Sequence, residues 1–501
     1  MKLLPETAGP RLIARRGAPS ARALAGLDAL LVMAPLTRQF NASLPQLARW
    51  RQLHAREAAS AGTVRHSRLA NPRQTLAVIG YCNAEASAFE LLSLAGRMLR
   101  PCTEARVEKI AILDLRSDAD SPKRLEALIA AAFAHGFEMP AERSKPSTRK
   151  ALRQIEVFGA TLPDLPRAKA TATATNLVRH LTALPPNLLN AAAYRKVLGT
   201  LAKRHGLTLQ WHTEAMLLKL GAGAFLAVSR GNPQRDAGIA KLSYRPTRAS
   251  KAAPDITLVG KGIVFDTGGT NLKPHRGMLD MHTDMSGSAV ALSTLIALAE
   301  LKAPVAVDAW LAITENSIGP HAYRPQEIVR AANGVTIQVI HTDAEGRMVL
   351  ADTLALAART KPCVIVDFAT LTGACVYALT DRMSGVFTNR DSLAPVLEQA
   401  GRASGERVWN FPLYQDYDTD IDSRVADVAQ CAVDGKGDHI LAARFLRKFV
   451  PEDIAWVHVD LASATRGGGL AHVPTEITGF GARFALDLIL NQQLLRQARL
   501  P

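Results

Sequence analysis

The sequence predicts an α/β fold in two domains, each a mostly parallel or mixed sheet flanked by helices, the C-terminal domain being the larger. Three observations carry that expectation. Short apolar segments alternate with amphipathic ones along most of the chain. A proline-bearing break divides it after about residue 140, and chemically reactive side chains gather at the ends of apolar segments in the second half.

Taken in order, residues 28–33, 75–80 and 110–113 read as buried strands, because each is a short, almost purely apolar run. Helical patterns lie between and after them, over 86–99 and 124–134. Across 140–175, Pro146, Pro163 and Pro166 disfavour a continuous helix. A helix over 169–184 then carries the chain onward until Pro185 and Pro186 stop it. Beyond lie further strands over 256–259, 306–313, 336–340, 364–368 and 456–461, with a helix over 348–358. The expected division is a loose basic extension (1–20), an N-terminal domain (21–160), a linker with a helix (161–184) and the larger domain (185–501).

At 501 residues and 48% hydrophobic, the chain can bury a large core and is not a disordered polyelectrolyte. It contains no run of eighteen uncharged apolar residues, so no membrane partner is expected. The net charge of +15 is uneven: residues 1–250 hold 37 Lys and Arg against 17 Asp and Glu, while the remainder holds 23 against 28. A basic half can attract nucleic acid, but no aromatic-interleaved basic stretch accompanies it, and a solvated surface is the simpler reading. Five scattered cysteines without a CxxC pair read as reduced thiols, with Cys363 and Cys375 in apolar surroundings. The arginine-rich start (Arg11, Arg15, Arg16, Arg22) lacks an apolar leader segment, so a cytoplasmic location is expected.

Four carboxylates (Asp266, Asp284, Asp343, Glu345) and three cations (Lys261, Lys273, Arg347) fall beside glycines at the ends of apolar runs. Carboxylates gathered in one place repel each other, and hard divalent ions are the usual remedy. Two such ions would generate a hydroxide nucleophile at neutral pH, which points to a hydrolase. Asp343 and Glu345, two residues apart, leave the same face of an extended segment, while Gly268 and Gly269 allow close backbone approach. In open α/β sheets ligands bind beyond the carboxyl ends of strands, where Lys261, Glu315, Asp343, Thr370 and Ala462 are expected.

The motifs are specific. Gly-Lys-Gly-x-x-Phe-Asp-Thr-Gly-Gly stands at 260–269, Leu-Lys-Pro at 272–274, Asp-Met at 284–285 and Thr-Asp-Ala-Glu-Gly-Arg at 342–347. With supporting stretches at 184–187, 322–325, 369–374, 405–409 and 458–462, the chain resembles the leucyl (cytosol) aminopeptidase family, the M17 type, over about 175–490. The resemblance implies a two-metal exopeptidase acting on peptides with a free N-terminus through a metal-bridging hydroxide. It implies that Asp266, Asp343 and Glu345 bind one ion and Lys261, Asp266, Asp284 and Glu345 the other. Manganese or zinc is expected, with magnesium or cobalt as alternatives. Lys273 would stabilise the oxyanion, and Arg347 would hold a bicarbonate that relays protons. Met281, Thr370 and Gly373 would line the pocket for the first side chain, and the assembly would be a homohexamer with its sites facing an interior cavity.

Departures from the family pattern include His341 before the Thr-Asp-Ala-Glu stretch, His282, and Ser286 after Asp-Met. His282 and His341 stand as extra ligands or as ordinary hydrogen-bonding histidines. The competing reading is a nucleic-acid-binding protein on an aminopeptidase scaffold, motivated by the basic first half.

Overall fold

The computed structural model describes residues 2–5, 9–36, 60–116, 118–145, 151–246, 253–491 and 494–499. Pro146, one of the expected helix breakers, lies outside the described residues.

The apolar runs of the first third form a six-stranded sheet: β1 (Arg11–Arg16), β2 (Ala29–Pro35), β3 (Val64–Arg68), β4 (Leu76–Cys82), β5 (Lys109–Asp114) and β6 (Gln154–Gly159). Its order is β1-β6-β5-β2-β4-β3, parallel throughout except for β3. Alternate residues of β2 supply opposite faces. Leu31 and Met33 pack under the helices Ala88–Glu104 and Ser121–Gly136, while Leu30 and Val32 enter a second cluster. The first of these helices starts at a capping box, Ser87 with Glu90, which satisfies two backbone donors at its entry.

Three expectations are corrected in this region. Residues 11–16 do not belong to a loose extension: they form the edge strand β1, with Arg15 Nε 2.9 Å from Glu156. The arginines that made the segment look like a tail are side chains of an edge strand, where charge guards unpaired backbone. The supposed break contains a strand, β6, which lies between β1 and β5. Pro166 does not oppose a helix either. It occupies the first turn of Leu165–Thr182, where a missing N–H costs nothing, and Asp164 caps that turn through Arg167 N at 3.0 Å.

The second sheet takes β7 (Thr208–Thr213), β8 (Gly238–Tyr244), β9 (Ile256–Asp266) and β10 (Val307–Asn316). The short β11 (Ile328–Arg330) and β12 (Thr336–Gln338) follow, then β13 (Val364–Ala369), β14 (Ser384–Thr388), β15 (Val408–Asn410), β16 (Val428–Ala429) and β17 (Ala455–Asp460). Eight of these make a mixed sheet, β15-β14-β17-β13-β9-β10-β8-β7, whose four central strands are parallel. β11, β12 and β16 form a separate three-stranded sheet, so the segment expected as a strand over 336–340 does not join the main one. Leu258 faces a core shared with the helix Ser286–Glu300, and the neighbouring Val259 faces the opposite core under the helix Glu345–Ala358. Both helices are apolar on nearly every face because both are covered on all sides. The parallel centre therefore presents the carboxyl ends of β17, β13, β9 and β10 along one rim.

Candidate functional site

β9 is longer than its apolar core suggests and runs through Lys261 to Asp266. Lys261 thus projects from mid-strand instead of following the strand, and Asp266 closes it. Glu345 is the first residue of its helix, and Asp343 lies in the turn before it, so these two do not share an extended face as expected. They converge nonetheless, because the turn closed by Ala344 N on the carbonyl of His341 leads straight into the helix. Ligand atoms of Asp266, Asp343 and Glu345 lie within 4.8 Å of one another.

The two lysines are interleaved with the carboxylates. Lys261 Nζ lies 2.7 Å from Asp284 and 2.9 Å from Glu345, and donates to the carbonyl of Thr370 at 3.0 Å. Lys273 Nζ lies 2.9 Å from Asp266 and 2.5 Å from Asp343. Asp284 Oδ2 and Asp343 Oδ1 are buried oxygens that face only these ammonium groups, at 2.7 and 2.5 Å. Asp266 Oδ1 accepts from Gly268 N and Asn316 Nδ2, each at 2.8 Å. Gly268 adopts φ +84°, and a Cβ there would stand 2.6 Å from the carbonyl of Asn271 and 3.1 Å from Asp343, so only glycine admits this turn.

Burial and mutual repulsion set the protonation of the cluster. Burial raises Asp284 to about 8 even against Lys261, and raises Asp343 to about 6 with help from Asp266. Glu345 moves upward for the same two reasons. Burial disfavours charge on Lys261 and Lys273, but the surrounding carboxylates outweigh it and hold both firmly protonated. Such a cluster, with oxygen-rich donors short of positive charge, fits hard divalent cations.

Arg347 is buried and largely engaged. Its Nη2 donates to both oxygens of Asp438 at 2.8 Å and its Nη1 to the carbonyl of Gln430 at 3.2 Å, leaving Nε without a partner among the described residues. The hydroxyl of Thr370 donates to Asp284 Oδ1 at 2.7 Å. Met281 stands half-buried on a short turn before Asp284, and Gly373 starts the helix Gly373–Leu379. Neither histidine joins the acidic group: His341 is exposed, its Nδ1 facing Asp343 N at 3.3 Å, and His282 lines a separate cavity of about 260 Å³.

Three residues to which sequence reasoning gave no role in the site hold this arrangement. Asn316, next to the expected Glu315, sits at a register shift of β10 and bridges Asp266 to the carbonyl of Thr342. Tyr323 donates to that same carbonyl at 2.7 Å. Asp460, at the end of β17, accepts from Leu371 N and from the Thr372 hydroxyl, anchoring the loop that carries Thr370. A buried polar residue closing an apolar strand was the available signal, since such a group must find partners.

Comparison with known proteins adds independent findings. The sequence profile described as Cytosol aminopeptidase family, catalytic domain, matches residues 176–486. A probable cytosol aminopeptidase of Parasynechococcus marenigrum is 38% identical over 434 residues, 84% of this chain and 87% of that protein. One from Synechococcus sp. (strain CC9311) is 35% identical over 91% of this chain and 92% of its own length. Among solved structures, the bottromycin maturation enzyme BotP in complex with Mn superposes with a TM-score of 0.80 at 30% identity, covering 92% of this chain and 99% of that one. A mutant of tomato leucine aminopeptidase gives 0.82 at 26% identity, covering 97% and 98%.

Proposed function

The chain belongs to the cytosol aminopeptidase family, and from that premise we propose that it is a metal-dependent, leucyl-type exopeptidase acting at the acidic cluster. The observation that carries this reading is the convergence of Asp266, Asp343 and Glu345 within 4.8 Å, flanked by Lys261 and Lys273. Asp266, Asp343 and Glu345 would hold one divalent ion, and Lys261, Asp266, Asp284 and Glu345 a second. Manganese or zinc is proposed, with magnesium and cobalt also compatible with the donors. The metal-bound homologue supports divalent ions in general. Lys261 must give up its proton to act as a ligand, which two adjacent cations would favour. Bound ions would supply an acidified water and a polarised peptide carbonyl.

The remaining work belongs to the chain's own side chains. The free α-amine of a peptide docks beside Asp284, which restricts cleavage to the first bond. Lys273, kept protonated by the carboxylates around it, would stabilise negative charge developing on the carbonyl oxygen. Arg347, through its unpartnered Nε, would hold a bicarbonate that supplies a base for proton transfer. Met281, Thr370 and Gly373 would border the pocket for the first side chain. The cytoplasm is the proposed location, in keeping with the names of the relatives. Among the described residues no helix is long and apolar enough to cross a membrane.

The test is hydrolysis of a panel of aminoacyl anilides after chelation and after return of single divalent ions. Chelation is expected to remove activity and manganese or zinc to restore it, with an apolar first residue preferred. Asp343→Ala should lose metal-dependent hydrolysis while keeping its circular dichroism spectrum. Full activity in that variant would overturn the assignment.

A further inference from the structure

A cavity of about 420 Å³ opens between the helix Ala88–Glu104 of the first domain and the loop 466–474 of the second, away from the acidic cluster. Its lining brings together Arg97, Arg100, Arg382, Arg407, Arg466 and His472. Among the described residues one carboxylate pairs with these five guanidinium groups: Asp381, 3.2 Å from Arg466 Nε. Arg97 donates to the carbonyl of Gly62, while Arg100 and Arg382 have no ion pair among the described residues. Arg407 lies over the ring of Phe89 at 3.8 Å, its Nε is buried without a hydrogen-bond partner among the described residues, and burial together with Arg382 disfavours its charge. His472, 6% exposed, likewise leaves Nδ1 unpartnered. Like charges gathered in a partly enclosed space repel each other, and an anion relieves that repulsion.

We propose that this cavity is a binding site for a phosphate chain, either inorganic oligophosphate or the polyphosphate group of a nucleotide. The excess of four positive charges matches the three to five negative charges of such a chain, roughly as it titrates near neutral pH. Planar guanidinium forks suit phosphate oxygens in pairs. Gly468 and Gly469, at φ +79° and +86°, bring close-lying backbone to the wall, and a bond of 3.0 Å from Gly469 N to the carbonyl of Arg466 fixes the turn that carries Arg466. Phe89 is the one Phe, Tyr or Trp in the lining and one of its faces is taken by Arg407, which leaves little platform for successive stacked bases. That favours a compact phosphate chain over a nucleic-acid strand.

The experiment is isothermal titration of the full-length, chelator-treated chain with tripolyphosphate and, separately, with ATP, at physiological ionic strength. One site per chain is expected. The double variant Arg100→Ala/Arg382→Ala, altered only at exposed side chains, should weaken binding at least about tenfold while melting like the parent. Asp343→Ala should bind as the parent does, because the acidic cluster is not involved. Equal affinity for the two probes identifies the phosphate chain alone as the ligand, and a clear advantage for ATP identifies a nucleotide; either supports the site. Three results overturn it: no binding of either probe at about millimolar concentration, undiminished binding in both the double variant and Arg97→Ala, or a DNA duplex that binds and is not displaced by tripolyphosphate.

Discussion

Thr370 donates its hydroxyl to Asp284 Oδ1 at 2.7 Å, while its carbonyl accepts from Lys261 Nζ at 3.0 Å. One residue thus orients a carboxylate and a lysine at once. Replacing the hydroxyl by a methyl keeps the volume and removes one donor from a buried acid. Thr370→Val is therefore expected to fold normally and to lose roughly 10–100-fold in metal affinity or turnover, the usual cost of removing a group that orients a ligand. Titration of the variant with manganese, read by hydrolysis and by calorimetry, checks this; unchanged affinity and rate would remove Thr370 from the supporting set. Sequence motifs named Thr370, Lys261 and Asp284 separately. Their mutual hydrogen bonds could not be read from it, because they depend on how the end of β13 meets β9.

At the scale of elements, the helix Ser286–Glu300 is pressed against the sheet through its first glycine. A Cβ on Gly287 would stand 2.0 Å from the carbonyl of Phe368, which is backbone of β13 and cannot swing aside. Gly287→Ala must push helix and strand apart, and overpacking of this kind costs about 1–3 kcal/mol or more. The helix begins two residues after Asp284, so the same displacement reaches the acidic cluster. Reduced denaturant resistance together with lowered activity is expected from urea unfolding and kinetics; a variant as stable as the parent would show that the contact is slack. Several elements were legible in advance. Those over 28–33, 75–80 and 110–113 appear as β2, β4 and β5, since uniformly apolar runs bounded by polar turns have few other fates. β1, β6, β7 and β8 were not, because each carries charged or polar residues that blur the apolar pattern: arginines on the edge strand β1, polar side chains on the edge strand β7, Glu156 inside β6 and Lys241 inside β8.

Across the whole molecule, the two sheets are joined by buried charge as well as by apolar packing. Arg483 binds Glu126 of the first domain at 2.8 and 3.1 Å. Beside it the buried carboxyl of Glu406 accepts from Gly481 N and Phe484 N, holding the start of the helix Ala482–Leu490. Burial raises Glu406 from 4.5 to about 7, and Asp352 from 3.8 to about 7. A carboxyl that holds its proton more tightly when folded stabilises the fold fully below its unfolded value and loses that contribution as pH rises through about 7. The expected result is a melting temperature that falls between about pH 4.5 and pH 7 through these two groups, with a shallower fall in Glu406→Gln. Thermal melts of both proteins across that window check it, and parallel curves would refute the role of Glu406. A homohexamer, which the family resemblance implies, is proposed as well: Tyr377, Tyr414 and Val433 are largely exposed, as an interface would require. Light scattering is expected to give about six times the 53.8 kDa chain mass, and a monomer would remove the interior-cavity arrangement.

By itself the sequence determined the α/β class and the identity of the reactive side chains, because apolar periodicity and short motifs are local properties. It also placed the cationic excess in the first half. Tertiary structure alone decided that Asp266, Asp343 and Glu345 come within 4.8 Å, that Asn316 holds Asp266 and Asp460 holds the loop carrying Thr370, and that arginines from both domains face one cavity. These are distances between residues far apart along the chain, set by the order in which strands pair, and no window of sequence contains that order.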